Sequence, residues 1–196
     1  QALRARLGLD RPGYVALMSE LWEGFSAVVA KNPYAQFPQS RSRDFLATPG
    51  DANYPIAEPY LKWHVAQDAV NQGAAVILTS VGTARQAGID PAKWVYLHGY
   101  AAVKDRPVLE RPDLSRSRAI EAALRGALAM AGKTARGIEQ LDLYSCFPCA
   151  VLLAAEVLGV DWRHTPCTVT GGLPFFGGAG NNYSMHAIAW SPQLPP

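Results

Sequence analysis

Cys146-Phe-Pro-Cys149 has CxxC spacing, and His164 and Cys167 follow as HxxC, so four soft ligands occur in an order that a zinc site could use. A redox dithiol is a second reading, helped by a helix start that would lower the first thiol's pKa, although no Trp precedes the motif. A third reading treats these cysteines as small apolar residues at a strand-to-helix junction. The segment AVLLAAEVLG between the two pairs reads as buried helix, whereas zinc ribbons join their ligand pairs by polar turns. No metal site is expected.

The junction itself carries more. Leu143-Tyr144-Ser145-Cys146-Phe147-Pro148 leaves the carboxyl end of an expected strand and enters a helix. Open α/β sheets place ligands there, where free helix N–H groups face a bound carbonyl or anion. Tyr144 and Ser145 are the hydroxyl pair at that point, and Cys146 and Phe147 are their substrate-side neighbours. Tyr144 is also at home as an ordinary half-buried strand-end tyrosine. Further on, Gly171-Gly172 and Gly177-Gly178-Ala179-Gly180 bracket Leu-Pro-Phe-Phe and precede Asn181-Asn182-Tyr183-Ser184, which starts a helix. So much glycine implies that backbone approaches something closely. No Gly-Lys-Ser/Thr follows and GGAG fits no dinucleotide fingerprint, so Gly177, Gly178, Gly180, Asn181 and Asn182 read as a substrate-facing turn. His186 falls in the first or second turn of the helix after it. It is a catalytic candidate beside Tyr144 and Ser145, although a lone helical histidine is more often structural than catalytic. The 144–147 junction and the 177–182 turn both follow strands of one sheet and are expected to meet, with the Tyr144 hydroxyl aimed at a bound carbonyl.

The elements that must position these residues follow from periodicity. Met18, Leu21, Trp22, Phe25 and Val28 predict a helix over 14–31. Prolines and aromatics over 32–59 predict an ordered covering loop. Residues 73–80 (GAAVILTS) and 94–103 (WVYLHGYAAV, bulged at Gly99) read as strands, as do 138–145 and 167–170. Ile120, Leu124, Ala127, Leu128 and Ala131 share one helical face, with Asp113 or Ser115 as cap and Gly132 as stop. A helix over 148–158 closes at Gly159. Strands alternating with helices predict an α/β fold, a mainly parallel mixed sheet covered by helices.

Composition bounds the rest. The 196 residues are 49% apolar and 17% charged, enough for a core and too apolar for disorder. The longest apolar run, Cys149 to Ala155, falls far short of the ~20 residues a spanning helix needs. No export signal is visible at the N-terminus, which makes a cytoplasmic chain the expectation. The net charge is +2 with scattered basic residues, so nucleic acid is not an expected partner. Three cysteines do not make a disulfide framework.

NPYAQF, NQGAAVILTS, LDLYSCFP and TGGLPFFGGAGNNYSMHAIA together resemble the second half of the thiolase superfamily, nearest to the sterol-carrier-type thiolases and thiolase-like acetyl-CoA acetyltransferases. The likeness runs over about residues 14–189. It implies a layered thiolase-like half, with 1–90 the end of the N-terminal half and its covering loop and 91–196 a C-terminal half, incomplete at both ends. It also implies acyl-CoA as ligand, a coenzyme A thioester as substrate, no covalently bound cofactor, and assembly as a homodimer or with a partner subunit. In the family a cysteine of the N-terminal half is acylated, a Gly-His-Pro histidine activates it, and a second cysteine serves as acid and base. Here the nucleophile is not in the chain and Gly178 stands at the histidine's place. Tyr144 and Ser145 occupy the strand-end motif that holds the oxyanion-hole water. The final WSPQLPP, with prolines that cannot continue a central strand, points to a fragment or a truncated gene. The expected activity is acyl transfer by carbon–carbon bond formation or thiolysis, absent in this chain alone. The alternatives are a non-catalytic interaction subunit, or a retro-aldolase of steroid side-chain degradation with Tyr144 and Tyr183 as acid and base.

Overall fold

The computed structural model describes residues 1–193, so Pro195 and Pro196, expected to bar a final strand, lie outside it. Among the described residues seven α-helices run in chain order: α1 (Ala2–Arg6), α2 (Arg11–Val29), α3 (Arg43–Ala47), α4 (Val81–Gln86), α5 (Arg118–Met130), α6 (Pro148–Leu158) and α7 (Tyr183–Trp190), with short 3-10 turns between. Helix α2 begins ahead of the expected start because the Asp10 side chain accepts from the Gly13 N–H at 2.8 Å and a proline stands in the first turn. Ser117, not Asp113 or Ser115, caps α5. Its Oγ accepts from the Ile120 N–H at 3.2 Å, while Asp113 is spent on Ser115. Helix α6 opens at Pro148 and stops at Gly159, which takes the left-handed conformation at φ 65°.

The expected mainly parallel sheet is overturned. Among the described residues the sheet is two antiparallel strands, β1 (Pro55–Ala57) and β2 (Tyr60–Leu61), at the end of the covering loop, and the described chain is mainly helical. A strand exists only through a neighbour, and apolar alternation reports fit to a pleated surface rather than the presence of a partner. Segments 73–80 and 94–103 are extended runs without a ladder. Ile77 and Leu78 are 84% and 88% exposed, and Leu97 is 72% exposed. Segments 138–145 and 167–170 touch through one backbone bond, Leu143 N–H to Cys167 O at 2.9 Å, too few to make strands of them. Gly99 marks no bulge: a Cβ there would collide with the Ala127 carbonyl, so glycine lets segment 94–103 lie on the backbone of α5.

The core gathers where α2 and α6 meet the 171–176 turn and the covering loop. Trp22 packs edge-on against Phe25 (4.8 Å) and Phe175 (6.3 Å), and Trp63 stacks on Phe175 (6.1 Å). Val29, Leu46, Val151 and Phe176 complete the cluster, each at most 1% exposed. The loop is tied down by the Asn53 amide, which donates to Phe45 O and Leu46 O, and the turn just after it by the Trp22 indole, which donates to His64 O at 3.1 Å. Phe37 and Phe45, partly buried, pack against this core, which makes the proline-rich segment part of its wall and not a tether, although Tyr34 and Tyr54 stay exposed.

Candidate functional site at the start of α6

Residues 142–147 run along the core edge into α6, and their alternation decides which side chains face out. Leu143 and Ser145 are buried, while Tyr144 and Phe147 are 57% and 43% exposed. Ser145 Oγ accepts from the Leu173 N–H at 3.0 Å, which spends the hydroxyl on tying the junction to the glycine turn. Tyr144 keeps its phenol at the surface beside the Cys146 thiol. Its pKa is raised by burial and by that thiol, and burial raises Cys146 in turn.

Tyr60 comes across from β2 to cover the same spot. Its ring lies 5.3 Å from that of Phe147 and its hydroxyl is 3.9 Å from Cys149 Sγ. Burial lifts its pKa, with Cys149 adding to the effect, and burial also pushes Tyr14 up to about 12. Tyr14, Tyr60, Tyr144 and Cys146 are therefore protonated at neutral pH. Such groups donate hydrogen bonds and do not accept protons; with Tyr14 buried and the Tyr60 hydroxyl turned to Cys149, Tyr144 and Cys146 are the donors left for an electron-rich carbonyl oxygen. The thiols' distribution bears on the zinc reading: no group of three or more His, Cys, Asp or Glu could hold a metal ion among the described residues. Cys167 turns its sulfur to Thr165 O at 3.5 Å, and His164 pairs with Asp161 at 2.7 Å.

The 177–182 turn reaches the junction through a strap. Ala66 N–H donates to Cys146 O (3.1 Å), Gln67 N–H to Leu173 O (3.2 Å), and Gly178 N–H to Gln67 O (2.7 Å). Residues 66–67 thus sit between the two parts, and what the glycines approach is protein. Gly171 (φ 106°) lies on Val29 and Gly172 (φ 80°) on Phe25, where added Cβ atoms would clash; Gly177 (φ 125°) lies on Gln72. Gly180 faces open space, and Asn181 is exposed. Asn182 holds Ala74 by two bonds, accepting from its N–H at 2.8 Å and donating to its carbonyl at 3.0 Å. His186 is buried on α7 with its ring 5.1 Å from that of Phe176, burial lowers its pKa, and its Nε2 meets no partner among the described residues. Tyr183 is committed too: its hydroxyl donates to Asp142 Oδ1 at 3.0 Å and lies 2.7 Å from Thr170 Oγ1.

Sequence reasoning missed Asp142. Its Oδ2 accepts from the Thr168 hydroxyl, the Val169 and Thr170 N–H groups and the Thr170 hydroxyl, all at 2.9–3.0 Å. A carboxylate between Leu141 and Leu143, with Thr168 and Thr170 to come, was the available signal. Tyr60 gave none, because it meets the junction only through the fold.

No protein-family model and no curated protein matches the chain. Among solved structures, the chain superposes on a monomeric SCP2-thiolase like protein type 1 from Mycobacterium smegmatis with a TM-score of 0.90 and 46% identity, over 98% of its own length and 42% of the other chain. The chain therefore spans less than half the length of that relative. Identity at this level along almost the whole sequence makes the chain a thiolase-superfamily sequence of the SCP2-thiolase-like kind.

Proposed function

We propose that this portion carries the acyl-thioester-facing junction of a thiolase-like acyltransferase and that, on its own, it binds an acyl-CoA without turning it over. One observation carries the reading: the outward face of the α6 start presents proton donors, Tyr144 and Cys146, with the Tyr60 hydroxyl donating to Cys149 beside them, and no cysteine thiol among the described residues is hydrogen-bonded to a histidine. Acyl transfer through a thiolate needs nucleophile and base within hydrogen-bond reach, and general-base activation is typically worth ~10²–10⁴-fold. A donor patch without that pair supports recognition of a thioester carbonyl. Carbon–carbon bond formation or thiolysis then requires a nucleophile from elsewhere, in a longer chain, a second copy or a partner subunit. A reduced, cytoplasmic setting goes with free thiols.

The non-catalytic subunit is the second reading, favoured by Gly178. A Cβ there would stand 3.0 Å from the Gln67 carbonyl, so the strap occupies the room a histidine would need.

Acetoacetyl-CoA tests both halves of the reading. Thiolysis at high protein concentration is expected to stay at the blank rate. Titration of the same thioester, followed by tryptophan fluorescence, is expected to saturate, and Tyr144→Phe is expected to weaken it roughly two- to tenfold, the worth of one hydrogen bond. Ordinary enzymatic turnover, or no saturable binding, sinks the proposal.

A further inference from the structure

A cavity of about 430 Å³, well away in sequence from the 177–182 turn, opens between the 103–113 loop, the start of α5 and the outer face of α6. That volume lies in the range that takes a small organic ligand. Its apolar part comes from Val103, Pro112 and Ala122 together with Leu153 and Val157 of α6. Its charges are distributed unevenly. Every carboxylate lining it is already engaged: Asp105 by Ser117 (3.0 Å) and Arg111 (3.4 Å), Asp113 by Ser115 (2.6 Å), Glu121 by Arg125 (3.1 Å), and Glu156 by Arg6 (2.8 Å) and Arg116 (3.4 Å). Lys104, Arg106 and Arg118 line the same cavity, and their charged heads meet no carboxylate, acceptor or aromatic ring among the described residues. The site therefore has spent its negative charge internally and keeps positive charge in hand beside an apolar wall.

We propose that this cavity binds a phosphomonoester whose organic part is apolar, with Arg106 and Arg118 on the phosphate and the Leu153–Val157 wall under the organic group. Arginine suits the role because its planar fork meets two phosphate oxygens at once, and two guanidiniums match a dianion where one lysine would not. An apolar carboxylate is the weaker candidate, since one negative charge leaves two of the three cations unanswered.

Phenyl phosphate is the probe, titrated into the 196-residue protein by calorimetry or by NMR line broadening. Saturable binding is expected, tighter than that of inorganic phosphate or of phenol, and weakening with added salt. The double variant Arg106→Ala/Arg118→Ala is expected to lose roughly tenfold in affinity. Neither guanidinium holds another residue, so the variant should keep its circular dichroism and melting point. Arg136→Ala, which removes an exposed charge off the cavity and breaks no ion pair among the described residues, is expected to bind as the parent does. The proposal is overturned if phenyl phosphate does not saturate, if phosphate or phenol alone binds as tightly, or if the double variant binds like the parent. It is overturned equally if Arg136→Ala weakens binding as much, because the charge would then act without a site.

Discussion

Asp142 draws five hydrogen bonds to one carboxylate, four on Oδ2 and one on Oδ1. Through them it fixes the backbone of 168–170, the hydroxyl of Tyr183 and, by way of Thr168 and Thr170, the N–H groups of Gly171 and Gly172. Asp142→Asn leaves one carbonyl oxygen for the four-donor side and turns an NH2 towards Tyr183, whose hydroxyl can rotate to accept. The expected loss is about 2 kcal/mol in urea unfolding, and Asp142→Ala, which strands all the donors, loses more. At roughly 2–4 °C per kcal/mol for a chain of this size, a melting curve resolves the two variants. An unchanged Asn variant would mean that the carboxylate charge adds nothing to the shape. At this scale the sequence was informative where spacing is local, as in the 144–147 junction. It was silent where the fold brings residues together from afar: Tyr60 covers Phe147 and Cys149 although nothing in its neighbours announces it.

Among the elements, the helices were legible because each carries its own caps and its own face, as Asp10, Ser117, Pro148 and Gly159 show. The strands were not, because Ile77, Leu78, Val95 and Leu97 advertise a β surface whose partner the described chain does not contain. The covering loop sits between these cases, and the turn that follows it holds a titration. His64, fully buried, accepts from the Leu61 N–H on Nδ1 (3.2 Å) and faces Leu46 O with Nε2 (2.8 Å), so the proton sits on Nε2 and the ring is neutral. Burial lowers its pKa from 6.5 to about 4. The unfolded chain therefore takes up a proton at higher pH than the folded one does. The stability this ring contributes is complete above about pH 6.5 and is lost as pH falls towards 4, by up to about 3 kcal/mol. Urea unfolding from pH 7 to pH 4 is expected to show that loss. His64→Asn, which keeps an acceptor for Leu61, is expected to be less stable at pH 7 and to follow a flatter profile. Parallel profiles for the two proteins would remove His64 as the cause.

The glycine turn and its strap extend the element argument to a designed change. Gly178 has an ordinary φ, so a side chain there is opposed by space alone: the Gln67 carbonyl at 3.0 Å and the Ala66 Cβ at 3.4 Å. Gly178→His must lift residues 66–67 from the bonds they make to Cys146 and Gly178 itself. We expect a loss of roughly 1–3 kcal/mol, the usual cost of overpacking, and no thiolysis in return, since no thiol lies bonded to the new ring. Thiolysis above the parent's blank would show that the strap yields and that a nucleophile is within reach.

The molecule as a whole leaves apolar surface uncovered on a scale unusual for a monomer. Beyond Ile77 (84% exposed), Leu78 (88%) and Leu97 (72%), Val95 is 66%, Tyr100 63% and Leu109 100% exposed. Segments 73–80 and 94–103 also carry backbone N–H and C=O groups outside any ladder, the condition in which one extended segment templates another. A net charge of +2 gives little repulsion to hold copies apart. The solved relative is described as monomeric, but its chain continues well beyond the 42% that is matched here. We therefore expect this chain to self-associate reversibly as its concentration rises into the micromolar range and above, visible as a growing weight-average mass in sedimentation velocity. Ile77→Lys with Leu97→Lys places a charge on each extended segment without touching the core, since both side chains stand in solvent. That double variant is expected to sediment as a monomer with an unchanged melting point. A parent that stays monomeric throughout, or a variant that associates as strongly, would locate the adhesive surface elsewhere on the molecule.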